Sequence, residues 1–370
     1  MNYFRLNIAW YFMRILTIQY LRGLAALLVV IAHNSAFLGE YWVNHIPGAL
    51  GVDVFFIVSG FIMTFITSQV PEGAGTFLIK RFFRIWPPLF LVWLSSLVFV
   101  YHERILSQMS CVLYFCLQDY SKQGPTFGYS PLGPPWTLSY EVMFYAVFAL
   151  SMSLSYRYRS FLCALIFMAA MVGFQLFYNG SFSFSSQASP EMVVSHWWQG
   201  WIKIASNTVV IEFIAGMFLA ELMVNDKISD SRVIRAVAWS ALASAFAFVT
   251  LTGPQVFGMR GGFWPALVIM ASVITLSCHT KIVSIRWLSF LGDISYSLYL
   301  VHYPVMLCIK KAIPSSAMQN SNPAVFILSV VVSTGMASVM FRLVEIPSVQ
   351  LGKKITRSIL LKRAPEGSQS

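Results

Sequence analysis

The sequence predicts an all-α, polytopic membrane protein: a bundle of about ten transmembrane helices with both termini in the cytoplasm. Hydrophobic residues make up 57% of the 370 residues and charged residues only 11%, whereas an average soluble domain is roughly 25% charged. Apolar runs recur at about the 20 residues that a helix needs to span a bilayer. Lysine and arginine cluster in alternate connections between these runs, which indicates the cytoplasmic side.

Each predicted span is an apolar run bounded by polar or turn-forming residues. In chain order the runs cover residues 20–38, 48–68, 85–101, 136–154, 160–178, 201–223, 234–252, 262–280, 287–309 and 322–343. A further apolar stretch at 111–118 is predicted to stay on the outer side, because an eleventh crossing would turn the basic C-terminal tail outward against the positive-inside rule.

The domain organisation follows from these spans. Residues 1–16 are aromatic and basic without the small-residue cleavage site of a signal peptide, so they are predicted to be a cytoplasmic or interfacial lead-in. Residues 17–347 form one membrane domain, and 348–370 form a basic cytoplasmic tail.

Charge and cysteine usage exclude other classes of function. The formal net charge of +11 could indicate nucleic-acid binding, but the basic residues lie mostly between apolar runs, where they orient helices. We therefore expect no nucleic-acid partner. Six histidines and five cysteines show no C-x-x-C or H-E-x-x-H spacing, so we expect no metal site.

Two ionisable residues in the first span share one helix face. Arg22 and His33 are eleven positions apart, and eleven steps of about 100° return to within roughly 20° of the starting direction. Their separation along the axis is about 16 Å. Ionisable residues within spans are costly, so they indicate a functional interior.

Four titratable residues from four spans are predicted to lie at similar depth in the outer half of the membrane: His33, Asp53, Glu141 and His302. A carboxylate beside an imidazole raises its basicity and fixes its tautomer, as a general base acting on a hydroxyl requires. We expect Asp53 or Glu141 to orient His33. The alternative is that these residues form structural pairs or bridge helices.

A cationic group is predicted at the opposite, cytoplasmic face. Lys80, Arg81 and Arg84 begin the third span and Arg22 opens the first. Guanidinium groups suit phosphate oxygens, so a phosphate-bearing donor held here could extend its reactive end toward His33. Alternatively, these cations only set topology and contact lipid headgroups.

Six motifs occur in order along the chain. They read R-G-L-A-A-L-L-V-V-I-A-H (Arg22, His33), G-V-D-V-F-F-I-V-S-G-F (Asp53, Ser59), R-F-F-R-I-W-P (Arg81, Arg84), W-T-L-S-Y-E-V-M-F-Y (Trp136, Ser139, Glu141, Tyr145), G-D-I-S-Y-S-L-Y-L-V-H-Y-P (Ser295, Tyr296, His302) and F-R-L-V-E-I-P (Arg342, Glu345). From Ile18 to about Pro347 the chain resembles the acyltransferase family 3, and its opening motif is most similar to the exopolysaccharide-production branch.

The resemblance implies a membrane-bound O-acyltransferase of the bacterial cytoplasmic (inner) membrane. Such a protein would move an acyl group, usually acetyl, from cytoplasmic acyl-coenzyme A to a sugar hydroxyl of an exopolysaccharide or other surface glycan. Acetyl-coenzyme A would be the donor substrate, with no permanently bound cofactor. The implied partners are the glycan acceptor, which includes lipid-linked forms, membrane lipid and polysaccharide-assembly proteins.

The resemblance ties Arg22, His33, Arg81 and Arg84 to activity and donor binding, and the remaining roles are our own hypothesis from the residues. His33 is the expected general base, supported by Asp53, Glu141 and His302, and Arg22, Arg81 and Arg84 are expected to hold the donor. Trp136, Ser139, Tyr296 and Ser59 are expected to bind substrate, with Tyr296 and His302 near the acceptor or the oxyanion. Two alternatives stay open: a transporter or flippase with a His/Asp/Glu proton relay, and a non-enzymatic polysaccharide-assembly partner.

Overall fold

The computed structural model describes residues 2–100, 120–127, 132–196, 198–229, 231–253, 256–279, 283–313 and 321–363. These residues form a helical bundle, so the predicted all-α class is confirmed. In chain order the helices are α1 (Asn2–Asn34), α2 (Glu40–His45), α3 (Gly48–Gln69), α4 (Ala74–Phe99), α5 (Trp136–Leu154), α6 (Arg159–Asn179), α7 (Gln199–Ala205), α8 (Val210–Val224), α9 (Arg232–Thr252), α10 (Phe263–His279), α11 (Arg286–Ala312), α12 (Pro323–Met340) and α13 (Ile346–Arg363).

The helices coincide with the predicted spans, and the protein is a polytopic membrane protein. Within the described ranges, seven helical stretches are long and apolar enough to cross a membrane, and the pair α7–α8 makes an eighth if it counts as one span. Large apolar side chains point outward, such as Phe177 at 80% exposure and Leu251 at 85%. Apolar surface of this kind on many helices requires a lipid surrounding.

Two predicted spans fall short of those criteria for physical reasons. Helix α10 has 17 residues, and α11 carries polar residues such as Asp293 and His302 within its length. The predicted span 201–223 is broken, because α7 and α8 meet at an angle of 55°. Ser206 and Asn207, both fully buried, occupy the break, and such side chains offer the backbone hydrogen bonds that compete with a continuous helix. The count of ten spans therefore stays a prediction.

The two ends of the chain are more helical than expected. Helix α1 begins at Asn2, so the predicted lead-in is continuous with the first span. Helix α12 passes through a π-helical turn, Phe341–Glu345, into α13, so the predicted tail is helical as far as Arg363. The stretch predicted to remain outside, 111–118, lies beyond the described residues.

Helices α1 and α11 pack with their backbones in contact. A Cβ on Gly23 would lie 2.6 Å from the backbone N of Gly292, and a Cβ on Gly292 would lie 2.5 Å from the backbone O of Gln19. Small residues permit such an approach between membrane helices. Contacts ten residues further along both helices, between His33 and His302, show that α1 and α11 run parallel. A ten-span chain requires this relation of its first and ninth spans.

A second close seam joins α3 to α8. A Cβ on Gly60 would lie 2.1 Å from the backbone O of Phe213, and one on Gly216 would lie 1.9 Å from the backbone O of Ile57. Positions 53, 57 and 60 follow the i, i+4, i+7 spacing of one helix face. The seam therefore turns Asp53 toward α8.

Candidate active site

Three arginines from two helices line one internal cavity. It lies among α1, α3, α4, α5 and α11 and encloses about 800 Å³ of atom-free space, part of it open to solvent. Its polar lining comprises Arg22, Ser59, Arg81, Arg84, Thr137, Glu141, Tyr145, Ser295, Tyr296 and Tyr299. The predicted grouping of Arg22 with Arg81 and Arg84 is thus present in the structure.

Arg22 is fixed by the seam between α1 and α11. Its Nε donates a hydrogen bond to Ser295 Oγ at 2.8 Å, and its Nη2 donates to the backbone O of Gly292 at 2.8 Å. The backbone contact at Gly23 makes these short bonds geometrically accessible. The guanidinium is therefore held in one orientation at the cavity wall before any ligand arrives.

Arg81 and Arg84 are three positions apart on α4, so they point from the same face. The Arg81 guanidinium carbon lies 5.3 Å from the ring centre of Phe77 and 5.6 Å from that of Tyr145. Arg84 forms a salt bridge with the buried Glu345. Lys80, which the sequence grouped with them, instead pairs with Glu72 at 2.5 Å and does not line the cavity.

Glu141 lies among these cations. It accepts hydrogen bonds from the hydroxyl of Tyr145, four positions later on α5, and from Ser59 Oγ at 3.5 Å. In the described part of the chain, three guanidinium groups and the carboxylate of Glu141 thus line this cavity, and Glu345 pairs with Arg84 behind its wall. The excess of fixed positive charge and the guanidinium geometry suit a phosphate-bearing ligand.

The two predicted histidines form a pair. Nδ1 of His33 lies 3.4 Å from Nε2 of the fully buried His302, and the ring centres are 5.1 Å apart. The Tyr303 ring packs edge-on against His33 with ring centres 5.7 Å apart. Because Arg22 and His33 both contact α11, the structure places them on one face of α1, as their spacing predicts.

Backbone carbonyls fix the tautomer of each neutral ring. Nδ1 of His33 lies 2.9 Å from the O of Val29, and Nδ1 of His302 lies 3.1 Å from the O of Leu298. A carbonyl only accepts hydrogen bonds, so both Nδ1 atoms carry the hydrogen. The single Nδ1–H of His33 donates to the carbonyl of Val29, with His302 Nε2 as a second and longer acceptor, and among the described residues nothing bonds to His33 Nε2, whose lone pair can take a proton.

The expected support of His33 by a carboxylate is wrong. Among the described residues, the hydrogen-bond partners of His33 are Val29 and His302. Asp53 accepts a hydrogen bond from the backbone N–H of Gly258 at 3.0 Å and lies on the face of α3 that packs on α8, while Glu141 belongs to the arginine cavity. For Asp53 the reason is direction, because the face of α3 that carries it packs on α8. For Glu141 the expected depth is wrong, because it shares a cavity with Arg22, which lies about 16 Å along α1 from His33.

The four residues expected to bind substrate separate into two groups. Ser59 and Tyr296 line the arginine cavity, whereas Trp136 and Ser139 are buried on α5 outside its lining. Trp136 packs with Phe56, Tyr140 and Phe257. The sequence analysis assigned no role to Tyr145 or Glu345. The i, i+4 spacing of Glu141 and Tyr145 is nevertheless the signal for the hydrogen bond between those two side chains.

Tyr299 separates the arginine cavity from the histidine pair. It lines the cavity, and its ring centre lies 6.0 Å from that of His302 and 5.5 Å from that of Phe55. Its hydroxyl donates to the O of Pro134 at 2.5 Å and lies 2.8 Å from Thr137 Oγ1. The histidines themselves are not part of the cavity lining, so one aromatic side chain stands between the two halves of the site.

Fold and site together define an integral-membrane protein built around an internal, cation-lined chamber. A family model described as an acyltransferase domain matches residues 15–342, so the chain belongs to this family, the acyltransferase family 3. The resemblance carried by the six motifs is thereby confirmed.

Similar proteins support this family assignment. The chain is similar to the exopolysaccharide production protein ExoZ of Rhizobium meliloti, with 25% identity over 83% of this chain and 91% of the relative. It is 24% identical to the O-acetyltransferase OatA of Staphylococcus aureus over 90% of this chain. It is also 24% identical to the putative peptidoglycan O-acetyltransferase YrhL of Bacillus subtilis over 94% of this chain. The chain spans 57% of the length of each of the last two proteins. No solved structure matches it.

Proposed function

We propose that the protein is an acetyl-coenzyme A-dependent O-acetyltransferase of the bacterial cytoplasmic membrane. It would transfer the acetyl group to a sugar hydroxyl of an exopolysaccharide or another surface glycan. One observation carries the proposal: a single face of α1 bears an arginine in the cation-lined cavity and, eleven residues further on, a histidine whose Nε2 has no hydrogen-bond partner among the described residues. Family membership and the relatives' names support the acyl-transfer chemistry.

The donor would bind by its phosphates. Arg22, Arg81 and Arg84 supply the guanidinium donors, which bind phosphate through paired hydrogen bonds. With the N-terminus of α1 in the cytoplasm, these residues lie toward the cytoplasmic side, where acyl-coenzyme A is present. The acyl end then points along α1 toward His33, and Tyr299 must move aside to admit it.

Transfer would proceed by direct attack. His33 Nε2 takes the proton from the acceptor hydroxyl as its oxygen bonds to the thioester carbonyl carbon. The tetrahedral intermediate collapses, the carbon–sulfur bond breaks, and the imidazolium returns its proton to the departing thiolate sulfur. The carbonyl of Val29 accepts the Nδ1–H of His33, with His302 Nε2 as a longer second acceptor, and this keeps the base in the required tautomer.

The test compares two histidines of the same chain. Purified protein with acetyl-coenzyme A and a glycan acceptor should lose about 10²- to 10⁴-fold in turnover as His33→Ala, the range for a missing general base. His45→Ala is the matched control, since His45 is exposed and stacks on Tyr41 with ring centres 3.9 Å apart. Near-normal turnover of His33→Ala would refute the assignment. A transporter would show no specific binding of coenzyme A.

A further inference from the structure

Glu345 is a buried carboxylate in the one π-helical turn of the described residues. The turn, Phe341–Glu345, joins α12 to α13, and the side chain of Glu345 is fully buried. A π turn inserts an extra residue into a helix and often occurs at a functional site. None of the catalytic steps proposed above uses this residue.

Both carboxylate oxygens of Glu345 are engaged. Oε1 accepts a hydrogen bond from Nη1 of Arg84, and Oε2 accepts one from Ser297 Oγ of α11 at 2.6 Å. One carboxylate therefore joins the π turn to α4, which carries Arg84, and to α11, which forms part of the cavity lining.

The rest of the Arg84 guanidinium faces the cavity. Its central carbon lies 5.6 Å from the ring centre of Tyr296, whose hydroxyl donates to the O of Ile85 at 2.8 Å. The ring is thereby fixed beside the guanidinium. With Nη1 held by Glu345 on one side and the ring on another, the remaining N–H groups are directed to the space that Arg84 lines.

Helix α13 anchors the turn that bears Glu345. Gly352 packs so closely on α4 that a Cβ there would lie 2.8 Å from Cβ of Phe83, the residue before Arg84. The π turn is therefore fixed relative to α4 from its C-terminal side, and Glu345 cannot follow Arg84 if the arginine rotates.

We propose that Glu345 is a positioning residue for the donor, acting through Arg84. It holds Nη1 so that the other edge of the guanidinium meets a donor phosphate already oriented, which reduces the ordering cost of binding. This role rests on the proposed function, because it takes the ligand of the arginine cavity to be the phosphate portion of coenzyme A.

The experiment measures coenzyme A affinity and donor kinetics on the full chain in lipid nanodiscs. Glu345→Ala releases Arg84, so the Kd for coenzyme A and the KM for acetyl-coenzyme A should rise by about tenfold or more, the loss expected for one charge-assisted hydrogen bond. The kcat at saturating donor should change less than about threefold, since His33 is not affected. A merely structural role would lower the folded fraction and leave KM unchanged.

Glu345→Gln separates geometry from charge. Its amide oxygen can still accept from Arg84, and its amide nitrogen can donate to Ser297, so the Kd should stay within about threefold of wild type. Glu72→Gln is the matched control. Glu72 pairs at 2.5 Å with Lys80, which lies on α4 like Arg84, and neither Glu72 nor Lys80 lines the cavity. The control variant should leave the Kd unchanged.

If Glu345→Ala does not fold, Glu345→Asp gives the same test, since it keeps the charge but shortens the side chain that reaches Arg84. Its Kd should rise about tenfold. Wild-type affinity in a folded Glu345→Ala or Glu345→Asp variant would overturn the role of Glu345. Glu345→Gln as weak as Glu345→Ala would also overturn it. A wild-type protein that does not bind coenzyme A would instead overturn the proposed function, and this role with it.

Discussion

Replacing Gly23 by alanine should separate α1 from α11 and misalign both halves of the site. The added Cβ would lie 2.6 Å from the backbone N of Gly292 and 2.8 Å from the backbone C of Leu291. Backbone atoms cannot move away by changing rotamer. Restoring an ordinary contact of 3.4 Å requires the helices to part by about 0.8 Å.

That displacement acts directly on the site. The hydrogen bonds of Arg22 to Ser295 and Gly292, both 2.8 Å, and the 3.4 Å contact between His33 and His302 all cross this seam. A shift of about 0.8 Å lengthens the arginine bonds to the limit of hydrogen bonding and breaks the histidine contact. Misplacement on the order of 1 Å can lower turnover by about 10²-fold, so we expect a loss of at least about tenfold.

The stability of the bundle should fall as well. Overpacking typically costs about 1–3 kcal/mol, and the better helix propensity of alanine offsets about 0.5–1 kcal/mol of this. We expect a net loss of roughly 1–2 kcal/mol, measured by thermal and denaturant unfolding in detergent alongside acetyl transfer. Gly335→Ala in α12 is the control, because its Cβ would have no neighbour within 4 Å. A Gly23→Ala variant with the unfolding temperature and turnover of wild type would refute the argument.

Two further predictions concern single side chains. Arg81→Ala should raise the KM for acetyl-coenzyme A by about 10- to 100-fold, since a hydrogen bond to a charged group contributes about 1.5–3 kcal/mol. The control is Lys80→Ala, which lies outside the cavity and should leave KM unchanged. Equal KM values for the two variants would count against phosphate binding. Asp53→Asn should retain stability and turnover within about threefold, because an amide oxygen can still accept from the backbone N–H of Gly258. A loss of 10²-fold would show that the charge of Asp53 acts in the reaction.

The sequence predicts which residues share a face only when they belong to the same helix. The shared face of Arg22 and His33 follows from their spacing alone, and the structure has it. Asp53 was placed beside His33 because both lie in the outer half of their spans. Which face of α3 meets α8 depends on Gly60 and Gly216, and this pairing of distant glycines cannot be derived from one sequence.

The positions at which the helices bend or change register could not be predicted from the sequence either. The run 201–223 is apolar enough for one helix, and only the packing of buried Ser206 and Asn207 shows why the chain bends there. The π turn that brings Glu345 to Arg84 has no signal in F-R-L-V-E-I-P, because a π turn differs from an α turn by hydrogen-bond register rather than by residue type.

The parallel packing of α1 on α11 has a consequence for substrate length. One uninterrupted helix carries both Arg22 and His33, so motion of α3, α4 or α5 would widen the chamber without altering the ~16 Å of helix rise between the two positions. Helix α1 therefore fixes the axial spacing of these two residues. A donor whose anionic end and reactive carbonyl are joined by a long flexible arm can reach both residues at once. A compact activated donor such as acetyl phosphate would reach only one of them.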